Sequence, residues 1–332
     1  MKSEAALQET LFHLIRNKLP AHVSFVHELS ELLNISYDSA YRRIRGEKEL
    51  NLEELKRLSE HFNISLDTLF NVSSRNILFN AFAVDKEDYT LEDWMKNILE
   101  EMRDIQTCKQ KEILWSAKDI PPFHFFGFPE LAAFKSYFWN KVLFNTPGFE
   151  KMPFRFDLAD GFEDTGRQIL SIYNKIPSSE IWNMETFISL IRQIEFCHVC
   201  HYFTGKEDAL KVLDALERLV DHLDQQAGAG FRYLYGDKPE GIEGSYRLYY
   251  NEVLLGDNTI FVIKDGHPKT FLTYNVINLL VTEHEKLCSQ IENSMRTVIK
   301  KSTLISSTSE KERNRFFQSL FGKIREIKSQ IS

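Results

Sequence analysis

The sequence predicts a mainly α protein in two parts. A five-helix N-terminal domain covers residues 1–72, a linker covers 73–88, and a larger, mostly helical α+β domain with a small antiparallel sheet covers 89–332. Three observations predict this. Between Glu4 and Phe70 apolar residues recur at helical spacing in five short segments, bounded by capping and stop residues. Beyond Asp88 the same period returns in longer segments. Between Phe231 and Asn275 it gives way to β-branched and aromatic runs, broken at Gly256-Asp-Asn258 and Asp265-Gly266 as turns between paired strands would be.

The first helix runs from Glu4 to Lys18, with Ala5, Leu7, Leu11, Leu14 and Ile15 on one face and Pro20 ending it. Ser24 is placed to cap a second helix whose inner face is Phe25, Leu29, Leu32 and Leu33. Asn34 then tolerates the left-handed backbone of a tight turn. Ser36 caps a third helix through Arg45 and Gly46 stops it; Asn51 caps a fourth through Phe62, and Ser65 a fifth ending near Phe70.

In the second domain Thr90 to Lys111 forms an amphipathic helix with Leu91, Trp94, Ile98, Leu99 and Met102 inward. An aromatic loop, Pro121 to Pro129, precedes helices at Glu130–Leu143, Asp164–Asn174, Asn183–Phe203 and Lys206–Gln226. After the strand region, helices at Val276–Lys300 and Ser309–Ile331 flank one short strand at Thr303–Ser306.

Charge is segregated. The chain of 332 residues carries −7 overall: −2 over residues 1–72, −11 over 73–295 and +6 over 296–332. An acidic body discourages indiscriminate phosphate binding, so affinity for a polyanion has to come from local patches, of which Arg42 to Lys48 and the C-terminal tail are two. No apolar run reaches the roughly 18 residues of a membrane helix and the start lacks signal-peptide regions, so a cytoplasmic location without membrane contact is expected. Four cysteines, at 108, 197, 200 and 288, are too few and too scattered for a disulfide framework; reduced thiols are expected.

Three stretches carry a family resemblance: Glu28-Leu-Ser-Glu-Leu-Leu-Asn-Ile-Ser36, Ala40 to Gly46, and Leu52 to Phe70 with its Ile64-Ser-Leu-Asp-Thr-Leu-Phe ending. Together they resemble the phage-repressor, or xenobiotic-response-element, class of lambda-repressor-like helix-turn-helix domains, over about a fifth of the chain. Phe25 and Tyr37 stand where that class often has Gln, and Asn34 replaces the usual turn Gly, so base preference does not carry over. The resemblance implies a transcriptional regulator whose partner is double-stranded DNA. In that class the third helix enters the major groove and a homodimer spans two half-sites, and the same is expected here.

With 3.6 residues per turn, Ala40 and Ile44 share the inner face of that helix, which leaves Tyr37, Asp38, Ser39, Tyr41, Arg42 and Arg45 more outward. Arg42 is placed for a bidentate contact to guanine, with Tyr37, Asp38 and Ser39 near bases or backbone; Arg43, Arg45 and Lys48 suit phosphates. Candidate dimer helices are Asp208–Gln226 and Glu283–Lys300, although a place in their own core is the simpler reading of both apolar stripes. The large domain is then expected to dimerise or to sense a small-molecule or protein effector. A different reading keeps the fold as a protein-interaction module, on the evidence of Asp38 and the domain's −2 charge.

Cys197-His-Val-Cys-His201 matches the spacing of covalent haem attachment and would place Cys197, Cys200 and His201 on one helix face, the basis for a redox or metal sensor. A zinc site would need a further ligand, and an apolar helix with small buried thiols explains the same residues. Two Ala-Gly bonds in Gln225 to Gly230 match the cleavage site of self-cleaving repressors, but a loop ending the preceding helix accounts for them. No Walker loop, His-Glu-x-x-His or Gly-x-Ser-x-Gly occurs, so no enzyme activity, catalytic residue or cofactor is expected.

Overall fold

A computed structural model describes residues 4–19, 23–62, 64, 66–70, 77–81, 89–159, 161, 163–252, 256, 258–274 and 277–332. Pro20, Ser65, Asp257, Asn275 and most of the 73–88 stretch lie outside that set. The chain divides into two compact units, Met1–Ile77 and Leu78–Ser332.

The first unit contains α1 (Glu4–Lys18), α2 (Phe25–Leu33), α3 (Tyr37–Ile44), α4 (Leu52–His61) and α5 (Leu66–Phe70). Its core is one cluster, with Leu11, Phe12, Ile15, Leu29, Leu33, Ala40, Leu58 and Leu69 buried. Local chemistry sets the helix ends. Asn34 adopts φ 54°, ψ 51° at the end of α2, and the Ser36 side chain accepts the Ser39 N–H at the start of α3. Asn51 and Glu54 form a reciprocal capping box on α4. Ser24 has the extended backbone of a cap but makes no side-chain capping bond.

The second unit holds an eight-stranded mixed sheet, not the small antiparallel one the sequence predicts. Its strands are β1 (Asn80–Ala81), β2 (Lys111–Ser116), β3 (Ser178–Trp182), β4 (Tyr246–Tyr250), β5 (Thr259–Lys264), β6 (His267–Tyr274), β7 (Asn278–Thr282) and β8 (Thr303–Leu304), in spatial order β1-β7-β6-β5-β2-β3-β4-β8. The pairs β2/β3 and β3/β4 are parallel and the other neighbours antiparallel. Parallel neighbours need long crossovers, and helices supply them here. α7 (Pro129–Phe138, continued by a π turn to Leu143) and α8 (Glu163–Lys175) join β2 to β3, while α9 (Met184–Val199) and α10 (Lys206–Ala229) join β3 to β4. The remaining helices are α6 (Leu91–Thr107), α11 (Glu285–Lys300) and α12 (Glu310–Ile331).

Both faces of the central strands are covered. Ile113 and Trp115 of β2 join the large helical core, while Leu114 between them packs with Phe261, Cys288 and Met295 beneath α11. Double burial erases the polar alternation that marks a half-buried strand, which is why β2 is hidden beside the α6 pattern. The expected helix over Val276–Lys300 is in fact β7 followed by α11, and Asn80–Ala81, inside the expected linker, pairs with β7 as an edge strand. No strand forms between Phe231 and Ser245.

Of the two candidate dimer stripes, the one on α10 belongs to the unit's own core, with Leu213, Leu216, Leu219, Val220 and Leu223 buried. On α11 only Cys288 and Met295 are buried. α10 also runs past the expected end at Gln226 to Ala229, and Gly230 closes it at φ 71°. A methyl group there would come within 2.2 Å of Ser307 Oγ, so the position requires glycine twice over.

Candidate nucleic-acid interface

The short α3 follows α2 through the Asn34 turn and is stitched to the rest of its unit from two sides. Arg43 is buried, 3% exposed, and its Nη2 and Nε donate to the two Glu54 carboxylate oxygens at 2.6 and 3.1 Å; Nη1 also donates to the Ser39 carbonyl. Glu54 therefore caps α4 and holds α3 with one side chain. Burial works against its charge, but the Arg43 and Asn51 hydrogen bonds together lower its pKa. From the other side, Gln8 on α1 donates to the carbonyls of Arg43 and Lys48 and accepts the Leu50 N–H, which fixes the backbone after α3.

The opposite face of α3 is open. Tyr37 is 53% exposed and Tyr41 46%. The Arg42 and Arg45 side chains are 53% and 66% exposed, and Asp38 and Lys48 are exposed as well. Ser39 is half-buried. The expected set is thus brought to one surface with one correction: Arg43, expected outward against phosphates, points inward. One residue rotates a helical position by about 100°, and this turns Arg43 from the open face to Glu54.

Partners on the open face constrain it. Tyr37 OH bonds His27 Nδ1 at 2.8 Å, and the two rings stack. Glu47 lies 3.9 Å from the Arg42 guanidinium and 3.7 Å from that of Arg45, and Arg45 also sits over the Tyr41 ring. These exposed pairs are weak and give way readily to a phosphate or base edge. His27, Gln8 and the Glu54–Arg43 pair escaped the sequence reading. Only Glu54 left a signal, the Asn-x-x-Glu spacing of a capping box.

The Cys197–His201 cluster does not form the single helix face expected of it. α9 ends at Val199, Cys200 caps it, and His201 lies beyond at φ 55°. Cys197 is buried, and burial pushes its thiol up to about 12, so it carries no thiolate at neutral pH. Among the described residues no group of three His, Cys, Asp or Glu side chains could hold a metal ion. All four cysteines are free, and no helix among the described residues is long and apolar enough to cross a membrane.

Residues 9–88 match the family model of the BetR domain, a helix-turn-helix type of DNA-binding domain. The match begins within α1, takes in α2 to α5 and runs past the first unit to include β1, and it supports a DNA-binding, regulatory role for that part of the chain. No curated protein and no solved structure matches the chain.

Proposed function

We propose that the protein is a sequence-specific transcriptional regulator of the phage-repressor type that binds its operator as a homodimer. In this reading it is not an enzyme, and its second unit serves as the effector and dimerisation domain. The observation that carries it is the division of α3: Ala40 and Arg43 are buried against the unit, while Tyr37, Asp38, Tyr41, Arg42 and Arg45 stand on the exposed side. A helix fixed on one face and rich in donors on the other is what major-groove reading requires. Arg42 reads a guanine edge, Tyr37, Asp38, Ser39 and Tyr41 contact bases or backbone beside it, and Arg45 and Lys48 hold phosphates.

Selection from a random duplex library tests this. Two readers related by a twofold axis enrich an inverted repeat with half-sites about one helical turn, ~10 base pairs, apart. Enrichment of no motif counts against the reading. A protein-interaction module remains the second reading, because Glu47 already pairs with both Arg42 and Arg45 and the 1–72 segment carries −2. It predicts equal, weak binding to every duplex.

A further inference from the structure

In the second unit a cavity opens between the sheet and helices α6 and α7, lined by strands β2, β5, β6 and β7. Its volume is about 60 Å³. At ~10–15 Å³ for each water-sized occupant, that is room for about four to six waters, or for a compact organic molecule of about four to six heavy atoms. Trp94 and Trp139, with ring centroids 5.7 Å apart, form part of the wall with Trp115, Phe123 and Phe125.

Two buried donor groups on that wall are incompletely satisfied. Lys135 is 6% exposed, yet its ammonium donates one hydrogen bond, to Gln193 Oε1 at 2.7 Å, and Asp119 acts on it only as a nearby charge. An ammonium has three donors. The rings of Trp139, Phe125 and Phe138 lie 5.0, 5.3 and 5.7 Å from it and compensate the charge only in part. Trp115 Nε1 is buried without an acceptor. A buried cation held this way is unfavourable unless something pairs with it.

We propose that this cavity binds a small monocarboxylate with a short alkyl body, its carboxylate paired with Lys135 and its body among the tryptophans. Burial has already pushed the Lys135 ammonium down to about 8, and a bound carboxylate reverses that shift. Asp119, half-exposed on the same wall, and Cys197 are the other charged or titratable groups that act on Lys135. Asp119 would instead be the anchor for an amine. The inference rests on the reading of the second unit as an effector domain only for its consequence at the operator; binding is read on the protein without DNA.

Propionate, propionamide and propylamine share one short alkyl body and differ in the head group. Titration of each into the full chain, followed by calorimetry and by tryptophan emission, separates the options. Propionate is expected to bind at least ~tenfold more tightly than the amide, the factor a charge-assisted pair provides, and Lys135→Met to abolish that preference while still binding propionamide. Should Lys135→Met fail to fold, the head-group comparison on the unaltered chain still decides. No binding of propionate at millimolar concentration, equal binding of the amide, or preference for the amine overturns the proposal.

Discussion

Arg42 and Arg43 are adjacent, chemically identical and read alike in the sequence, yet one is half-exposed and the other is enclosed by Ser39 and Glu54. Truncating them should therefore separate two properties. Arg43→Ala leaves the Glu54 carboxylate buried without its cation and frees α3 from α4. Breaking a buried pair in this way costs about 3 kcal/mol or more, so a lower unfolding midpoint for the first unit is the expected outcome of a urea titration followed by circular dichroism. Arg42→Ala removes an exposed side chain whose only ion pair among the described residues is the loose one to Glu47, and should move that midpoint by less than ~0.5 kcal/mol equivalent. Equal destabilisation by the two variants would contradict the assignment of roles. Similar reasoning bears on Tyr37: its hydroxyl is already engaged by His27, which orients the ring at the start of α3 before any DNA arrives.

Elements differ in how far the sequence revealed them. α1 to α5 were readable because each has its own apolar stripe and punctuation, as at Asn34, Ser36, Gly46 and Asn51. The sheet of the second unit was not, and β3 shows why. Its residues Ser178-Ser-Glu-Ile-Trp182 are all buried, and no local pattern announces that a glutamate sits at the centre of a core. Glu180 is satisfied by groups from four separate stretches: Tyr173 of α8 at 2.6 Å, Arg232 after α10 at 3.0 Å, His124 of the aromatic loop at 3.2 Å and Tyr246 of β4 at 3.3 Å. Such a constellation exists only once the chain has folded. Burial alone would raise the Glu180 pKa, but His124, Arg232 and Tyr173 outweigh it and hold it at about 2. A carboxylate so lowered stabilises the fold above its ordinary value of 4.5 and loses that contribution as pH falls from there to about 2. Glu180→Gln, which strands Arg232 without its anion, should cost about 3–5 kcal/mol at neutral pH. The deficit should shrink in acid over that same window, as thermal melts between pH 7 and pH 3 would record; a deficit independent of pH would speak against a charged Glu180.

At the scale of the whole molecule, two units with separate cores should unfold separately. All four tryptophans, at 94, 115, 139 and 182, lie in the second unit, so indole emission reports that unit alone while helicity reports both. Urea titrations followed by the two signals should not coincide, and Arg43→Ala should shift the helicity trace while leaving emission unmoved. Coincident curves that shift together would mean a single cooperative fold. Segregated charge bears on the proposed reading: with −11 over residues 73–295, selective binding to DNA would have to depend on local contacts such as those proposed for α3 rather than on a general attraction. The measurement that bears most directly on this is the affinity for genomic fragments, including the promoter of the protein's own gene, over a series of salt concentrations, with Arg42→Ala beside the unaltered chain. Selective, salt-dependent binding to particular fragments, weakened by about 1–3 kcal/mol in Arg42→Ala, is the expected result; weak binding to every fragment that ignores the substitution would contradict the assignment of α3 as the reader of DNA.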